Sequence, residues 1–200
     1  MTIIAFISQK GGVGKSTLSQ ALASEAKKKK IKILLADCDP QQASSYQWSQ
    51  IKKKIDCQVF RQVKDIWPLS NQYDLIIIDG PARTSAGTLE IAKKADLVIQ
   101  PTGPSLADLK PSVNEFHSLV KAGINKKKLI FILNHLATKS EEQAAREYLT
   151  LAGYLVLDNS LKEKASYRLI QNEGKSISEV SYKKLQKEAK ELVKEIISYL

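Results

Sequence analysis

The sequence predicts an α/β fold: a mostly parallel, doubly wound sheet with helices on both faces. Short apolar runs alternate with helical patterns along the whole chain, as is typical of strands joined by crossover helices. The run YDLIIIDG at 73–80 lacks polar alternation, so we expect a strand buried on both faces. Three stretches with chemical motifs, 9–17, 37–42 and 79–84, follow predicted strands, at the edge where such sheets bind ligands.

The predicted elements follow one another without an internal repeat or a linker of low complexity. Strands are predicted over 2–8, 31–37, 57–60, 73–80, 96–101, 128–134 and 154–158. Helices are predicted over 16–30, 43–54, 85–95, 105–122, 140–152, 160–172 and 178–199. Because 200 residues suffice for one well-buried core and are few for two, we expect a single domain over residues 1–200.

The composition is that of an ordinary globular protein, with 43% hydrophobic and 26% charged residues. No apolar run approaches the roughly 20 residues that a membrane span needs. The opening MTIIAFISQK lacks a basic leader and a cleavage site, so it is interpreted as a first strand and not as a signal peptide. Cys38 and Cys57 are too few for a disulfide framework or a metal site. We therefore expect a cytoplasmic protein.

The net charge is high. Thirty-one Lys and Arg residues against 21 Asp and Glu residues give +10, which favours a polyanionic partner, nucleic acid first. The alternative is a set of solvated lysine-rich helix faces. The runs at 27–30, 52–54 and 126–128 are interpreted in this second way.

The stretch ISQKGGVGKST at 7–17 predicts a phosphate-binding loop between a strand and a helix. Glycines allow the backbone to curl around an anion, and the following helix adds the partial positive charge of its N-terminus. The loop residues expected at the nucleotide are Gly11, Gly12, Val13, Gly14, Lys15, Ser16 and Thr17. Among these, Lys15 reaches the outer phosphates and the Ser16 hydroxyl is suited to ligate Mg²⁺. The loop departs from the common pattern, because Gln9 replaces a glycine and Lys10 adds a second lysine.

Three aspartates follow predicted strands at the same edge. Asp37 and Asp39 are two apart, so strand alternation points both side chains the same way. Asp79 ends the most apolar strand, where a carboxylate without a partner would be costly. Each could instead cap a helix or form a loop salt bridge.

Three motifs in register resemble the ParA/MinD family of P-loop ATPases: KGGVGKST, the deviant Walker A form; LLADCDPQQ at 34–42; and LIIIDGPA at 75–82. The resemblance covers essentially the whole chain. It implies an ATP- and Mg²⁺-dependent homodimer in which Lys10 reaches the partner's nucleotide. It further implies that Asp39 orients the attacking water, while Asp37 and Asp79 support the metal. Asn134 stands where family members contact adenine. Plain loop chemistry remains open for Asn134, and for Lys10 a phosphate contact within its own subunit or a surface position without a role remains open.

The stretch KEKASYRLIQNEGKSISE at 162–179 is similar to a family segment in which an arginine and a tyrosine precede a glycine. Lys164 stands at the arginine position and Tyr167 matches. The resemblance implies contacts to the DNA backbone by basic residues in this segment and the next helix, namely Lys162, Lys164, Arg168, Lys183, Lys184 and Lys187.

Three functions fit these features. The first is a nucleoid-associated partition ATPase that binds DNA nonspecifically and is stimulated by a ParB-like adaptor. The second is a MinD-like membrane switch that would use the amphipathic segment 181–200, although a packed terminal helix has the same pattern. The third is a metabolic relative, which is disfavoured because neither cysteine suits a shared cluster.

Overall fold

The computed structural model describes residues 1–82 and 86–200 and confirms the parallel α/β prediction. One seven-stranded sheet has the order β3-β2-β4-β1-β5-β6-β7, and every pair in it is parallel. The strands are β1 Thr2–Ser8, β2 Ile33–Asp37, β3 Cys57–Val59, β4 Leu75–Ala82, β5 Leu97–Thr102, β6 Leu129–Leu133 and β7 Leu155–Val156. The helices are α1 Lys15–Lys28, α2 Ser44–Lys52, α3 Ala86–Lys94, α4 Leu106–Lys121, α5 Lys139–Leu151, α6 Ala165–Asn172 and α7 Lys183–Ser198.

Strand β1 is the centre of the sheet. Its Ala5 is in register with Ile78 of β4 on one side and with Val98 of β5 on the other. The strand order reverses beside β1, so the loop after it opens at the crevice where ligands bind in doubly wound folds.

The hydrophobic core has two layers, one on each face of the sheet. Side chains of β1 alternate between them: Ile4 and Phe6 join the layer under α1, α2, α6 and α7, and Ile3, Ala5 and Ile7 join the layer under α3, α4 and α5. The strand predicted at 73–80 is buried from Leu75 to Gly80, as its lack of polar alternation indicated.

Helix α7 packs its apolar side into the first of these layers. Ala189, Leu192, Val193 and Ile196 are buried against the rest of the core. None of the helices among the described residues combines the length and the apolar character required to cross a membrane.

Three predictions about local structure need correction or fall outside the described residues. The helix predicted from 160 begins at Ala165, because the Leu161 N–H donates to the Leu133 carbonyl and holds the chain extended beside the sheet. The helix predicted from 178 begins at Lys183, after a separate 3-10 turn at Ile177–Glu179. The predicted start of a helix at 85 and the end of the 79–84 stretch lie outside the described residues.

A 3-10 segment, Val63–Gln72, was not predicted at all. It contains Pro68, which lacks an N–H donor and obscures a helical pattern. Its Ile66 is fully buried in the second core layer, so the segment closes that layer beside β4.

Candidate functional site

The loop between β1 and α1 adopts a conformation that its glycines make possible. Gly12 has φ 75° and Gly14 has φ 104°, values that side chains with a Cβ rarely adopt. A Cβ on Gly14 would also lie 2.1 Å from Asn134 Nδ2. Helix α1 begins directly after Gly14, so its free N–H groups open into the loop.

The two lysines of the loop lie in different environments. Lys15 is 8% exposed and its Nζ lies 3.4 Å from the Lys10 carbonyl oxygen. Burial lowers the pKa of Lys15, while the negative charges of Asp79 and Asp39 oppose the shift. The Lys10 side chain is about half exposed and forms a salt bridge with Asp108 at the start of α4. Lys15 therefore belongs to the cavity, and Lys10 to its outer surface.

Two residues after β6 fasten the loop from the side. The Asn134 side-chain amide donates to the Val13 carbonyl at 2.8 Å, and Asn134 Oδ1 accepts from the His135 N–H. His135 has φ 56°, and its Nε2 lies 2.9 Å from the Gly12 carbonyl. The Asn134 amide thus contacts the protein backbone in this structure; its predicted contact with adenine stays a prediction.

Glu115 of α4 holds the start of the same loop. It is 1% exposed on α4, and it accepts the backbone N–H of Gln9 at 3.1 Å and the Gln100 side-chain amide at 2.7 Å. The Glu115 carboxylate therefore anchors the backbone at the start of the loop. Glu115 and His135 had no predicted site role, since each contacts a loop residue more than 100 positions away.

Asp37 binds the N-terminus of α2. Its Oδ2 accepts the N–H groups of Ser45 and Tyr46 at 2.9 and 3.0 Å, and its Oδ1 accepts that of Asp39. Burial raises the pKa of Asp37, and these three hydrogen bonds oppose the rise. The carboxylate therefore holds α2 at the cavity, as the helix-capping alternative anticipated; a role beside Mg²⁺ is not tested by these contacts.

Asp79 has one engaged and one free oxygen. Its Oδ2 accepts the Ser45 hydroxyl at 2.7 Å, whereas Oδ1 is buried without a hydrogen-bond partner among the described residues. Burial raises the pKa of Asp79 to about 6, and the Ser45 hydroxyl, the Ser16 hydroxyl and the Lys15 ammonium oppose the rise. A buried carboxylate oxygen beside a serine hydroxyl and a phosphate-binding loop fits a hydrated Mg²⁺ ion, which binds through few protein ligands.

Asp39 lies between these groups and solvent. Its Oδ1 accepts the Gln42 N–H at 3.1 Å, which fixes the turn before α2. The side chain lines the same cavity as Lys15 and Asp79. A negatively charged acceptor at this position can hold a water molecule against a bound phosphate.

These groups surround one cavity of about 300 Å³. Its far wall is the extended segment before α6 and the first turns of that helix, and it includes three of the predicted DNA contacts, Lys162, Lys164 and Arg168. Lys162 Nζ lies 3.9 Å from Glu188 Oε1, and Arg168 Nη1 lies 2.8 Å from Glu163 Oε1. The structure thus brings these three residues to the cavity, where two of them are already paired.

The other predicted DNA contacts, Lys183, Lys184 and Lys187, lie apart from the cavity. They are exposed on the first two turns of α7. Tyr167 is buried and its hydroxyl donates to the Leu185 carbonyl at 3.2 Å, which fastens α6 to α7.

Comparison with known proteins confirms the family resemblance. A family model described as the CobQ/CobB/MinD/ParA nucleotide binding domain matches residues 4–177. The maintenance of carboxysome distribution protein A of Gloeobacter kilaueensis is 28% identical over 128 residues, which cover 59% of this chain and 56% of that relative. The chain thus matches little more than half the length of this relative.

Solved structures share the whole fold. The cell division ATPase MinD of Pyrococcus furiosus superposes with a TM-score of 0.78 at 20% identity, over 100% of this chain and 99% of that one. A Borrelia burgdorferi protein described as a plasmid partition protein, bound to AMPPNP, superposes with a TM-score of 0.74 at 18% identity, over 100% and 99% of the two chains.

Proposed function

This chain belongs to the CobQ/CobB/MinD/ParA nucleotide-binding family, and we propose that it is a Mg-ATP-dependent partition ATPase that pairs with a second copy of itself. The observation that carries the proposal is the different location of two lysines of one loop. Lys15 is buried in the cavity, whereas Lys10 is half exposed on its rim. A loop that served only its own nucleotide would not need the second lysine outside.

The phosphates of ATP bind to the loop amides and to Lys15. The N-terminus of α1 favours the negative charge, and Lys15 is already desolvated there, so its interaction with phosphate is strengthened. The Ser16 hydroxyl and Asp79 Oδ1 would hold Mg²⁺. When bound, that ion would neutralise negative charge on the phosphates.

Asp39 orients the water that attacks the terminal phosphate. Its carboxylate accepts a hydrogen bond from this water and points a lone pair of the water oxygen at phosphorus. Asp37 and Ser45 keep the turn and α2 in place, so Asp39 needs no rearrangement during the reaction. Charge that develops on the transferred group is stabilised by Lys10 of the second copy, much as an arginine finger does.

Paired subunits bind duplex DNA without sequence preference and associate with the nucleoid. A ParB-like adaptor triggers hydrolysis, which separates the subunits and releases the DNA, so that bound cargo is moved or positioned. The net charge of +10 supports a polyanionic partner. A membrane-bound, MinD-like role has less support, because the apolar side of α7 is occupied by the core.

The test is to measure mass in solution, ATP hydrolysis and binding to random-sequence duplex DNA, each with ATP, with ADP and without nucleotide, at two salt concentrations. We expect dimers and salt-sensitive DNA binding with ATP only. Lys10→Ala should retain ATP binding but lose pairing and most of the turnover. A monomer that hydrolyses ATP equally well with or without Lys10 would refute the paired mechanism.

A further inference from the structure

The edge of the sheet opposite the cavity collects the positive charge of the molecule. In a fold of parallel strands and crossover helices, every helix C-terminus and every strand start lie at this edge. We define the basic edge as the crossover segments, each running from the last turn of a helix through the first residue of the strand that follows it. Its segments are 25–33, 49–57, 69–75, 91–97, 118–129 and 148–155. The C-terminal ends of α6 and α7 also lie near this edge, but no strand follows them and they are not included.

The basic edge holds 14 lysines and four acidic residues, a net charge of +10. This equals the net charge of the whole chain, so the remaining residues carry 17 basic and 17 acidic side chains. Parallel topology thus brings the lysine runs, which the sequence presents as separate solvated faces, to one edge. The residues outside the defined segments have no net charge, although one of them, Glu173, interacts electrostatically with Lys52 at this edge.

Helix ends account for only part of this charge. Cations favour the C-terminal turn of a helix, and six of the 14 lysines lie in such a turn. The other eight follow the α-helices: Lys29, Lys30, Lys32, Lys53, Lys54, Lys126, Lys127 and Lys128. Charge compensation within the fold does not require them.

Most of these ammonium groups are available. Among the described residues, Lys28 alone of the 14 forms a salt bridge, with Glu25. Lys93, Lys94 and Lys127 are exposed and line a second cavity of about 590 Å³, together with Lys128. The nearby Asp96 carboxylate accepts the Ile3 N–H at 2.8 Å, and its negative charge offsets part of the charge of Lys128. Lys162 and Arg168, in contrast, have salt-bridge partners.

The lysines are spread along the sheet in two groups. Lys52–Lys54 and Lys27–Lys32 precede β3 and β2, and Lys93, Lys94 and Lys126–Lys128 precede β5 and β6. Seven strands about 4.8 Å apart span roughly 29 Å. A duplex carries one phosphate charge per about 1.7 Å of its axis, so this length faces several phosphates of each strand.

We propose that the basic edge is the surface on which this protein binds the backbone of duplex DNA. The inference rests on the proposed function for the class of partner, but it moves the contact from the residues around α6 and α7 to the opposite edge of the sheet. Two groups of lysines spaced along one edge of the sheet suit a rod of phosphates. A lipid surface is less suited, because durable membrane binding needs inserted apolar groups as well as charge.

Two matched triple variants test the location. One replaces Lys93, Lys94 and Lys127 by Gln at the basic edge, and the other replaces Lys183, Lys184 and Lys187 by Gln on α7. Both remove three exposed charges and leave the cavity intact. The readout is the affinity of the ATP-bound protein for random-sequence duplex DNA across a series of salt concentrations.

We expect the edge variant to lose about tenfold or more in affinity at low salt and to reduce the slope of log affinity against log salt by about 2–3. The α7 variant should bind as the unaltered protein does. Equal binding by the edge variant, or an equal loss in the α7 variant, would overturn the proposal. A merely structural role of the edge lysines would lower the melting temperature and leave the salt slope unchanged, which also counts against it.

The same preparations separate this proposal from the proposed function. ATP-dependent pairing and ATP turnover without DNA should be unchanged in both variants, because neither touches the cavity. If the unaltered protein neither pairs in the presence of ATP nor hydrolyses ATP, the proposed paired ATPase is refuted. Normal pairing without DNA binding, with binding to phosphatidylserine vesicles instead, would overturn only the choice of DNA as the partner.

Discussion

The two edges of the sheet are built from opposite ends of the same elements, and both attract anions by different means. At the carboxyl edge, backbone N–H groups at the start of α1 and one buried lysine form a small cavity. At the basic edge, exposed lysines form a broad surface and outweigh the partial negative charge of the helix C-termini. Anion binding at the carboxyl edge depends on geometry, and at the basic edge it depends on the number of charges.

This difference predicts how each edge responds to substitution. At the carboxyl edge, groups are held by specific hydrogen bonds, such as the bond of 2.8 Å from the Asn134 amide to the Val13 carbonyl. One altered atom should therefore have a large effect there. At the basic edge, each lysine contributes a similar small increment, so single substitutions should hardly matter and only combined ones should show.

The largest effect is expected from Asp39→Asn. This change keeps the shape and the acceptor for the Gln42 N–H but removes the charge that we propose orients the attacking water. We expect turnover to fall by about 100-fold or more, in the range seen when one group that acts on the transition state is removed. Steady-state ATP hydrolysis and equilibrium ATP binding are the measurements, and ATP binding should change little.

The control for this variant is Asp65→Asn, which alters an exposed aspartate in the 3-10 segment outside the cavity. It should hydrolyse ATP at the normal rate. If Asp39→Asn did the same, the water would have another partner and the assignment of Asp39 would be wrong.

An intermediate effect, on stability, is expected from Asp79→Asn. Burial raises the pKa of Asp79 to about 6, against 3.8 for the unperturbed group. Between these values the folded protein binds a proton that the unfolded chain has lost. The free energy of unfolding without nucleotide therefore falls as pH rises from about 4 through 6, by about 2–3 kcal/mol for a shift of this size.

Asp79→Asn removes this titration and, by the proposed role in holding Mg²⁺, also impairs turnover. Unfolding by denaturant at pH 5 and pH 8 checks it. The stability of the variant relative to the unaltered protein should increase as pH rises. A constant loss from placing an amide beside Ser45 should apply at both pH values. A difference between the two proteins that does not vary with pH would show that Asp79 is not ionised in the way proposed.

The smallest effect is expected from Asp108→Asn. It releases Lys10 from its salt bridge within the chain and leaves it free to reach a second subunit. Because exposed salt bridges contribute about 0.2–1 kcal/mol, pairing with a nonhydrolysable ATP analogue should become about 2–5 times tighter. Sedimentation equilibrium measures this constant.

Ser105→Ala is the matched control. It removes the other hydrogen bond to the Asp108 carboxylate and keeps the salt bridge to Lys10. Its pairing constant should be unchanged. Weaker pairing in Asp108→Asn would indicate that Asp108 supports the interface and does not compete for Lys10.

The sequence carried enough information for the sheet and for the loop, because both depend on local patterns. Short, mostly apolar runs identified every strand of the sheet within a few residues of its bounds. The loop was recognisable because Gly14, Lys15 and Ser16 act at adjacent positions. The extended chain at 160–164 was mistaken for helix because its conformation depends on the Leu133 carbonyl, which no local pattern reveals.

The side chains that support the cavity could not be predicted from the sequence for the same reason. Glu115 and Gln9 are 106 positions apart, and Asn134 and Val13 are 121 apart. Apart from the half-buried Lys128, the lysine runs are exposed, as their interpretation as solvated faces predicted, and the parallel topology places them at one edge of the sheet.

The basic edge and the nucleotide loop lie at opposite ends of the strands, so the molecule has two distinct sides. The seven residues of β1 span roughly 23 Å, so the charged side and the nucleotide side face opposite directions. In the proposed complex with DNA, the basic edge would face the duplex and the nucleotide loop would face away from it. Attachment to the duplex and docking of a second copy would then use different sides and could proceed in either order.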